Sequence, residues 1–326
     1  MQRLQIELAE KISEIFGWSD NFLNIKNVSM RKDVRDATFK FLAENSVGEA
    51  LVFILAANDE FPDTVHWAAQ ASERAKATVG EELAHAVVTP LNTGYVGQNS
   101  YAVYPCYTPT TSGLTANLFR RYSIDLKVFQ WLSDVAKKTS KRVDDAKLEE
   151  LVITPLKWLL DCSAFSDAVK NDAQAALYAL DAKQWQPGCV FSHNDLWKGN
   201  VLVESKYGRR FAACGLGEPR IIDWLGSSAE GIPAFDVIRY AQSSGYSLPV
   251  LQNVIKRINR EAGVNDADVF FDLLAGMGRL GINRGEFPLA RYTKLAENTI
   301  NTYKLMAFAT SNKNIRAKQK NESLFK

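Results

Sequence analysis

Residues 24–57 and 92–107 run as short apolar stretches between polar breaks, whereas most of the chain after Gly113 repeats apolar residues at intervals of three and four. Side chains alternate across a strand and recur every 3.6 residues on a helix, so these patterns belong to different layers. "NIKNVSM", "ATFKFLAE" and "EALVFILAA" predict three strands, the last two parted by "NSVGE", and "NTGYVGQNSYAVYPCY" predicts two more. An amphipathic helix is expected over 2–17, with Leu4, Leu8, Ile12 and Ile15 or Phe16 on one face. A second helix is expected over 63–86 with Asp63 as N-cap. Further helices are expected over 115–139, 145–164 and 167–183, the last ended by "QPG", and from Pro249 to Phe308 with a break near "GINRGEFP". The basic tail "SNKNIRAKQKNESLFK" is expected to fray. The fold class is therefore α+β: a small antiparallel-sheet lobe over 1–108 and a larger, mainly helical lobe over 109–326.

Charge narrows the partners. Lys and Arg total 39 against 37 Asp and Glu, a net charge of +2 that argues against nucleic acid or a membrane surface as the main partner. The apolar run "ALVFILAA" is too short to cross a bilayer, and the N-terminal stretch lacks a signal-peptide core. Four cysteines, at 106, 162, 189 and 214, form no CxxC pair. They read as reduced thiols of a cytoplasmic protein, and neither a zinc site nor a disulfide framework is expected. No internal repeat or low-complexity tract is present, and the sequence sets no oligomeric state.

The chemistry concentrates in "VFSHNDLWKGNVLV" at 190–203, where two apolar runs enclose His193, Asn194, Asp195, Lys198 and Asn200. A tight turn needs Gly, Asn or Asp for backbone reasons and little more. His193, Asp195 and Asn200 match the spacing H-x-D-x-x-x-x-N. In phosphoryl transfer one carboxylate faces the acceptor hydroxyl and takes its proton, while an amide oxygen five residues on ligates Mg²⁺ held on the nucleotide phosphates. Magnesium prefers hard oxygens and keeps several waters, so one Asn and one Asp suffice. "RIIDW" supplies the second ligand, Asp223, at the end of a predicted strand. The competing reading is a polar hairpin loop followed by an unrelated surface Asp. "GMGRLG" at 276–281 satisfies G-x-G-x-x-G, yet Gly285 and Pro288 punctuate the chain where a dinucleotide fold needs a continuing helix. A close-packed helix is expected there instead.

"HNDLWKGN", "IIDW" and "GIPAFDVIRY" together resemble the aminoglycoside phosphotransferase and choline kinase-like family, the small-molecule branch of the protein-kinase fold. The resemblance is motif-specific over about 190–240 and architectural elsewhere. It implies a two-lobed protein-kinase-like fold, ATP (or GTP) and Mg²⁺, and a small-molecule hydroxyl substrate. By that likeness Asp195 is the catalytic base, and Asn200 and Asp223 are the metal ligands. Asp236 is a buried acid that holds the catalytic loop, with His193 as a second organiser. Lys198 either touches the transferring phosphate or points to solvent, and Trp197 is expected to pack under the loop.

The small lobe departs from the pattern. "MRKDVRDA" joins the first two strands without glycine, and "ALVFILAA" carries no lysine where a kinase third strand places one. Lys40, on the preceding strand in "TFKF", is the candidate replacement, a solution resembling that of with-no-lysine protein kinases. Arg31, Lys32 and Arg35 are candidates to add charge over the triphosphate. Glu73 is either the cation's helix partner or a solvated charge. Backbone groups of Pro105, Cys106 and Tyr107 are placed to meet the base, Pro105 through its carbonyl alone. Two alternatives stay open: a nucleotide-binding pseudokinase acting as scaffold or regulator, and an atypical protein kinase, although no A-P-E segment follows Asp223. "HNDL" resembles the choline kinase branch and "DLW-GN" the fructosamine kinase branch. Acids and bases interleave along the C-terminal helices, so the acceptor class stays broad: a sugar, an amino alcohol or an aminoglycoside-like metabolite.

Overall fold

The computed structural model describes residues 2–18, 24–29, 38–109, 120, 123–206, 209–284 and 287–324. The chain begins with α1 (Gln2–Phe16), β1 (Asn24–Asn27), β2 (Thr38–Glu44), β3 (Ala50–Ala57), α2 (Thr64–Val79), the short α3 (Glu81–Ala84), β4 (Asn92–Val96), β5 (Asn99–Pro105) and β6 (Thr108–Pro109). It continues through α4 (Ile124–Thr139), β7 (Lys141–Arg142), α5 (Thr154–Asp161), α6 (Asp167–Asp181), β8 (Gly188–Ser192) and β9 (Val201–Glu204). Then follow α7 (Arg209–Ala213), β10 (Glu218–Ile221), β11 (Ser228–Gly231), α8 (Phe235–Ser244), α9 (Leu248–Ala262), α10 (Asp266–Ile282) and α11 (Leu289–Leu324). The result is an α+β protein with an antiparallel sheet in its N-terminal region and helices in its C-terminal region, as expected. The chain gathers into two compact units, Met1–Ile124 with Val201–Leu225, and Asp125–Asn200 with Gly226–Lys326.

In the first unit a five-stranded antiparallel sheet runs in the order β1-β2-β3-β5-β4. Strand alternation gives its two faces different partners. Phe41, Ala43, Val52, Ile54, Ala56 and Val103 form one core with Leu8 and Ile12 of α1. On the other face Leu55, Ala57, Ala102 and Tyr104 pack with Val65 and Ala69 of α2. Lys40 is registered opposite Leu55, so it shares this second face. A separate sheet, β10-β9-β6, completes the unit. Ile221 at its end is tied to the segment after α3, donating to Ala86 O at 2.6 Å and accepting from Val88 N at 3.0 Å.

In the second unit β8 lies between β11 and β7 among helices. Residues 276–281 lie inside α10, as the close-packed reading expects. A Cβ on Gly278 would fall 2.2 Å from the Pro155 carbonyl, and one on Gly281 would fall 2.3 Å from the Trp158 ring. These glycines let α5 approach α10 closely. The same helix carries Asp272, 4% exposed. Its Oδ1 accepts the Trp185 indole N–H at 3.1 Å and the Gly188 amide at 2.8 Å, anchoring the entry to β8.

Several expectations required correction. Asp63 precedes α2 but makes no side-chain cap; it accepts the Tyr95 hydroxyl at 2.9 Å instead. The helix expected to reach 86 stops at Gly80, whose φ of 76° suits glycine, and α3 follows it. The helix expected over 145–164 is a 3₁₀ turn, a π-helical stretch Glu149–Ile153 and then α5, which begins with Pro155 in its first turn. Residues 115–119, at the start of the predicted 115–139 helix, lie outside the described residues. In place of a frayed tail, α11 continues to Leu324, through a run without Gly or Pro.

Burial pushes the Asp272 carboxyl up to about 8, although its two N–H donors pull the other way. An unfolded Asp titrates near 3.9, so the folded state holds this proton more tightly. The contribution is complete below about pH 4 and is lost as pH rises toward 8. Asp272→Asn imitates the protonated acid. Urea denaturation from pH 5 to 9 is expected to show the variant gaining stability over the native protein as pH rises. A constant difference would overturn this assignment.

Candidate active site

Strand β8 is buried from Cys189 to Ser192 and delivers His193, 1% exposed, to the edge of the 193–200 loop. The chain turns at Asn194, with φ of 67°, and the Asn194 side chain donates to Gly226 O at 2.9 Å. Asn is among the few residues that tolerate this left-handed region. Beneath the turn lies Asp236, 6% exposed, in the first turn of α8. Its carboxylate accepts the amides of His193 at 2.6 Å and Asn194 at 3.0 Å, and that of Leu196 as well. Burial pushes this carboxyl up, while the His193 imidazole and the three amides oppose the shift.

Those bonds fix the backbone that presents Asp195, whose side chain is 51% exposed. The Asp195 amide donates to His193 Nδ1 at 3.3 Å. Leu196 is fully buried and pins the loop from inside. Trp197 does not pack under the loop: it is 41% exposed, and its ring lies where a Cβ on Gly199 would collide at 2.3 Å. Lys198 extends into solvent, its amide held by Ser243 Oγ at 2.8 Å. Asn200 is buried; its amide donates to Trp197 O at 2.9 Å and its Nδ2 to Asp195 O at 3.0 Å. With the nitrogen side engaged inside the loop, Oδ1 is the atom left for a ligand. An amide oxygen of this kind fits Mg²⁺. Among the described residues no cluster of three or more His, Cys, Asp or Glu could hold a metal ion.

In the first unit, Asp223 follows β10 with φ of 68°. It sits between the pinned Ile221 and the buried Trp224, whose indole donates to Ile221 O at 2.9 Å. Tyr104, on the α2-facing side of the sheet, is pushed up to about 12, first by burial and then by the carboxylates of Asp223 and Glu73. Both acids therefore act on the face that carries Lys40. Glu73 is exposed on α2 and lines a cleft of about 490 Å³ with His66, Gln70, Arg74 and residues 90–93. Pro105 closes β5, and Cys106 and Tyr107 link it to β6. The guanidinium of Arg220 stands over the Tyr107 ring at 5.6 Å. Arg31, Lys32 and Arg35 lie outside the described residues.

Sequence reasoning missed Arg239, Ser243 and Tyr104. Arg239 Nη2 donates to Asp195 Oδ1 at 2.8 Å. Asp236, Arg239, Tyr240 and Ser243 recur at intervals of three and four along α8, and that periodicity was the available signal. Tyr240 also donates to the buried Asp125 carboxylate at 2.6 Å, fixing α8 to the start of α4.

No family model matches the chain, and no curated protein matches it. Solved structures similar to it include small-molecule kinases. A choline/ethanolamine kinase family protein of Mesorhizobium loti shows 13% identity over 92% of this chain and 93% of its own, with a TM-score of 0.46. A Haemophilus somnus protein assigned to fructosamine-3-kinase shows 12% identity over 91% and 96%, with a TM-score of 0.49. An aminoglycoside phosphotransferase of Streptomyces rimosus, solved with ADP and streptomycin, shows 10% identity over 84% and 98%, with a TM-score of 0.37. At these identities and scores the likeness assigns no residue a role.

Asp236→Ala removes the acceptor for three loop amides and leaves them buried without partners. The expected cost is about 2–4 kcal/mol in chemical denaturation. A variant as stable as the native protein would show that the loop holds itself.

Proposed function

We propose that the chain is an ATP- or GTP-dependent, Mg²⁺-dependent phosphotransferase that moves the γ-phosphoryl group to a hydroxyl of a small metabolite. The observation that carries this reading is the loop 193–200. Its half-exposed Asp195 carboxylate and the inward-bonded Asn200 amide stand on one backbone held by Asp236. In this reading residues 1–108 bind nucleotide and residues 109–326 carry the catalytic loop and acceptor site. Asp195 accepts the acceptor's hydroxyl proton as its oxygen bonds to the γ-phosphorus and the bond to the β-phosphate oxygen breaks. Asn200 and Asp223 would hold Mg²⁺, which when bound neutralises phosphate charge. Lys198, exposed on the same loop, would meet the transferred group. His193 and Asp236 keep the loop in shape. Lys40 would serve as the phosphate-binding cation with Glu73 as its helix partner, and the 105–107 link would meet the base. Free thiols at all four cysteines accord with a cytoplasmic setting. No helix among the described residues is long and apolar enough to cross a membrane.

One observation favours the pseudokinase alternative. On the α2-facing side β3 offers Leu55 and Ala57 to the core and no cation, so nucleotide affinity would rest on β2.

The decisive assay incubates the protein with γ-labelled ATP, Mg²⁺ and pooled hydroxylated metabolites. Native protein is expected to label a small product, and Asp195→Asn to lower the rate by about 10²–10⁴. Undiminished labelling by the variant would remove Asp195 from the base role; nucleotide binding with no labelled product would favour the pseudokinase. Lys40→Ala is expected to weaken nucleotide binding at least about tenfold in equilibrium titration, the scale of one lost charge-assisted contact. Unchanged binding would mean that Lys40 does not replace the missing third-strand lysine.

A further inference from the structure

Arg239 is the residue whose placement the phosphotransferase reading leaves unexplained. It projects from α8, three residues beyond Asp236, and its Nη2 donates to Asp195 Oδ1 at 2.8 Å. The contact is a single hydrogen bond rather than a two-pronged fork, although a guanidinium offers five N–H donors in one plane. The Arg239 side chain is 25% exposed, yet its Nε is buried and has no partner among the described residues. Buried donors are seldom left so, and an absent ligand is a recognised reason for an exception. The loop's own cation, Lys198, forms no ion pair among the described residues. Asp236, the nearby second acid, is buried and spends its oxygens on backbone amides. The charged side chain shown in contact with the candidate base is thus a cation, Arg239.

We propose that the acceptor carries an oxyanion, a carboxylate or a phosphate, and that Arg239 receives it. This inference rests on the phosphotransferase reading and narrows its substrate class. An ammonium-bearing acceptor seated at Asp195 meets the guanidinium as a like charge. An oxyanion finds the planar donor set that suits it best. As the oxyanion takes up the guanidinium, Asp195 Oδ1 is released to accept the acceptor hydroxyl. The charge that identifies the substrate also frees the base.

The test measures binding by calorimetry on the full chain with shape-matched probes: gluconate and glucose 6-phosphate against glucose, and glycerate and glycerol 3-phosphate against glycerol and choline. At least one oxyanion probe is expected to bind ten times more tightly than its uncharged counterpart and than choline. The carboxylate and phosphate arms show which group is preferred. Arg239→Gln is expected to abolish that preference and Arg239→Lys to keep part of it, each with a melting curve to verify folding. Equal binding of charged and uncharged probes, tighter binding of choline, or an unchanged preference in Arg239→Gln would overturn the proposal. The transfer assay on native protein tests the phosphotransferase reading separately. Nucleotide binding with no labelled product sinks that reading, and loss of the oxyanion preference alone sinks only this one.

Discussion

The candidate site depends on one buried carboxylate. Asp236 is almost wholly removed from water, a costly position for a charge unless hydrogen bonds replace the solvent. Three amides of the loop supply them, and the first turn of α8 adds the favourable end of a helix dipole. The exchange works in both directions. The loop gives Asp236 its donors, and Asp236 gives three loop amides their acceptor. With His193, Asn194 and Leu196 fixed, Asp195 emerges with its carboxylate outward and its carbonyl inward, where Asn200 Nδ2 binds it. The orientation of the candidate metal ligand thus follows from the same anchor.

Helix α8 carries more than the anchor. Because its residues recur every 3.6 positions, the face that presents Asp236 also presents Arg239, Tyr240 and Ser243. Ser243 accepts the Lys198 amide, Tyr240 ties the helix to Asp125, and Arg239 reaches the Asp195 carboxylate. A single amphipathic stripe therefore holds the loop and sets the charge around it. The first unit achieves a comparable economy with a sheet. Its α1-facing side is core, and its α2-facing side gathers Lys40, Tyr104 and the influence of Asp223 and Glu73. Strand register sets Lys40 directly opposite Leu55 of β3 on that face, and the proposed role of Lys40 rests on this placement.

Much of this was legible in the chain. Short apolar stretches between polar breaks marked the strands of the five-stranded sheet, and the spacing of His193, Asp195 and Asn200 located the loop before any geometry was known. Local signals failed where distant partners decided the outcome. Asp63 looked like a helix cap, but Tyr95, 32 residues on, claims its carboxylate. The π-helical stretch before α5 and the exposed Trp197 ring likewise reflect packing that no short window encodes. The meaning of Arg239 depended on Asp195, 44 residues earlier in the chain. A polar position on an amphipathic helix reads as solvent-facing until its neighbour is known.

Backbone strain gives an independent view of the same residues. Four described residues other than glycine have positive φ: Lys183, Asn194, Asp223 and Ala234. Such a conformation costs roughly 1–3 kcal/mol for a non-glycine residue, so it persists only where the surroundings impose it. Glycine would relieve the strain at each, yet at two of them it would delete a side chain in use. Asn194 spends its amide on Gly226, and Asp223 supplies one of the carboxylates felt by Tyr104. Ala234 stands immediately before α8, setting the direction of the helix that brings Asp236 beneath the loop. At Asn194 and Asp223 strain is thus kept where the chain turns sharply and still presents a side chain in use. That combination separates the loop from an ordinary hairpin, in which the turn residue serves the backbone alone.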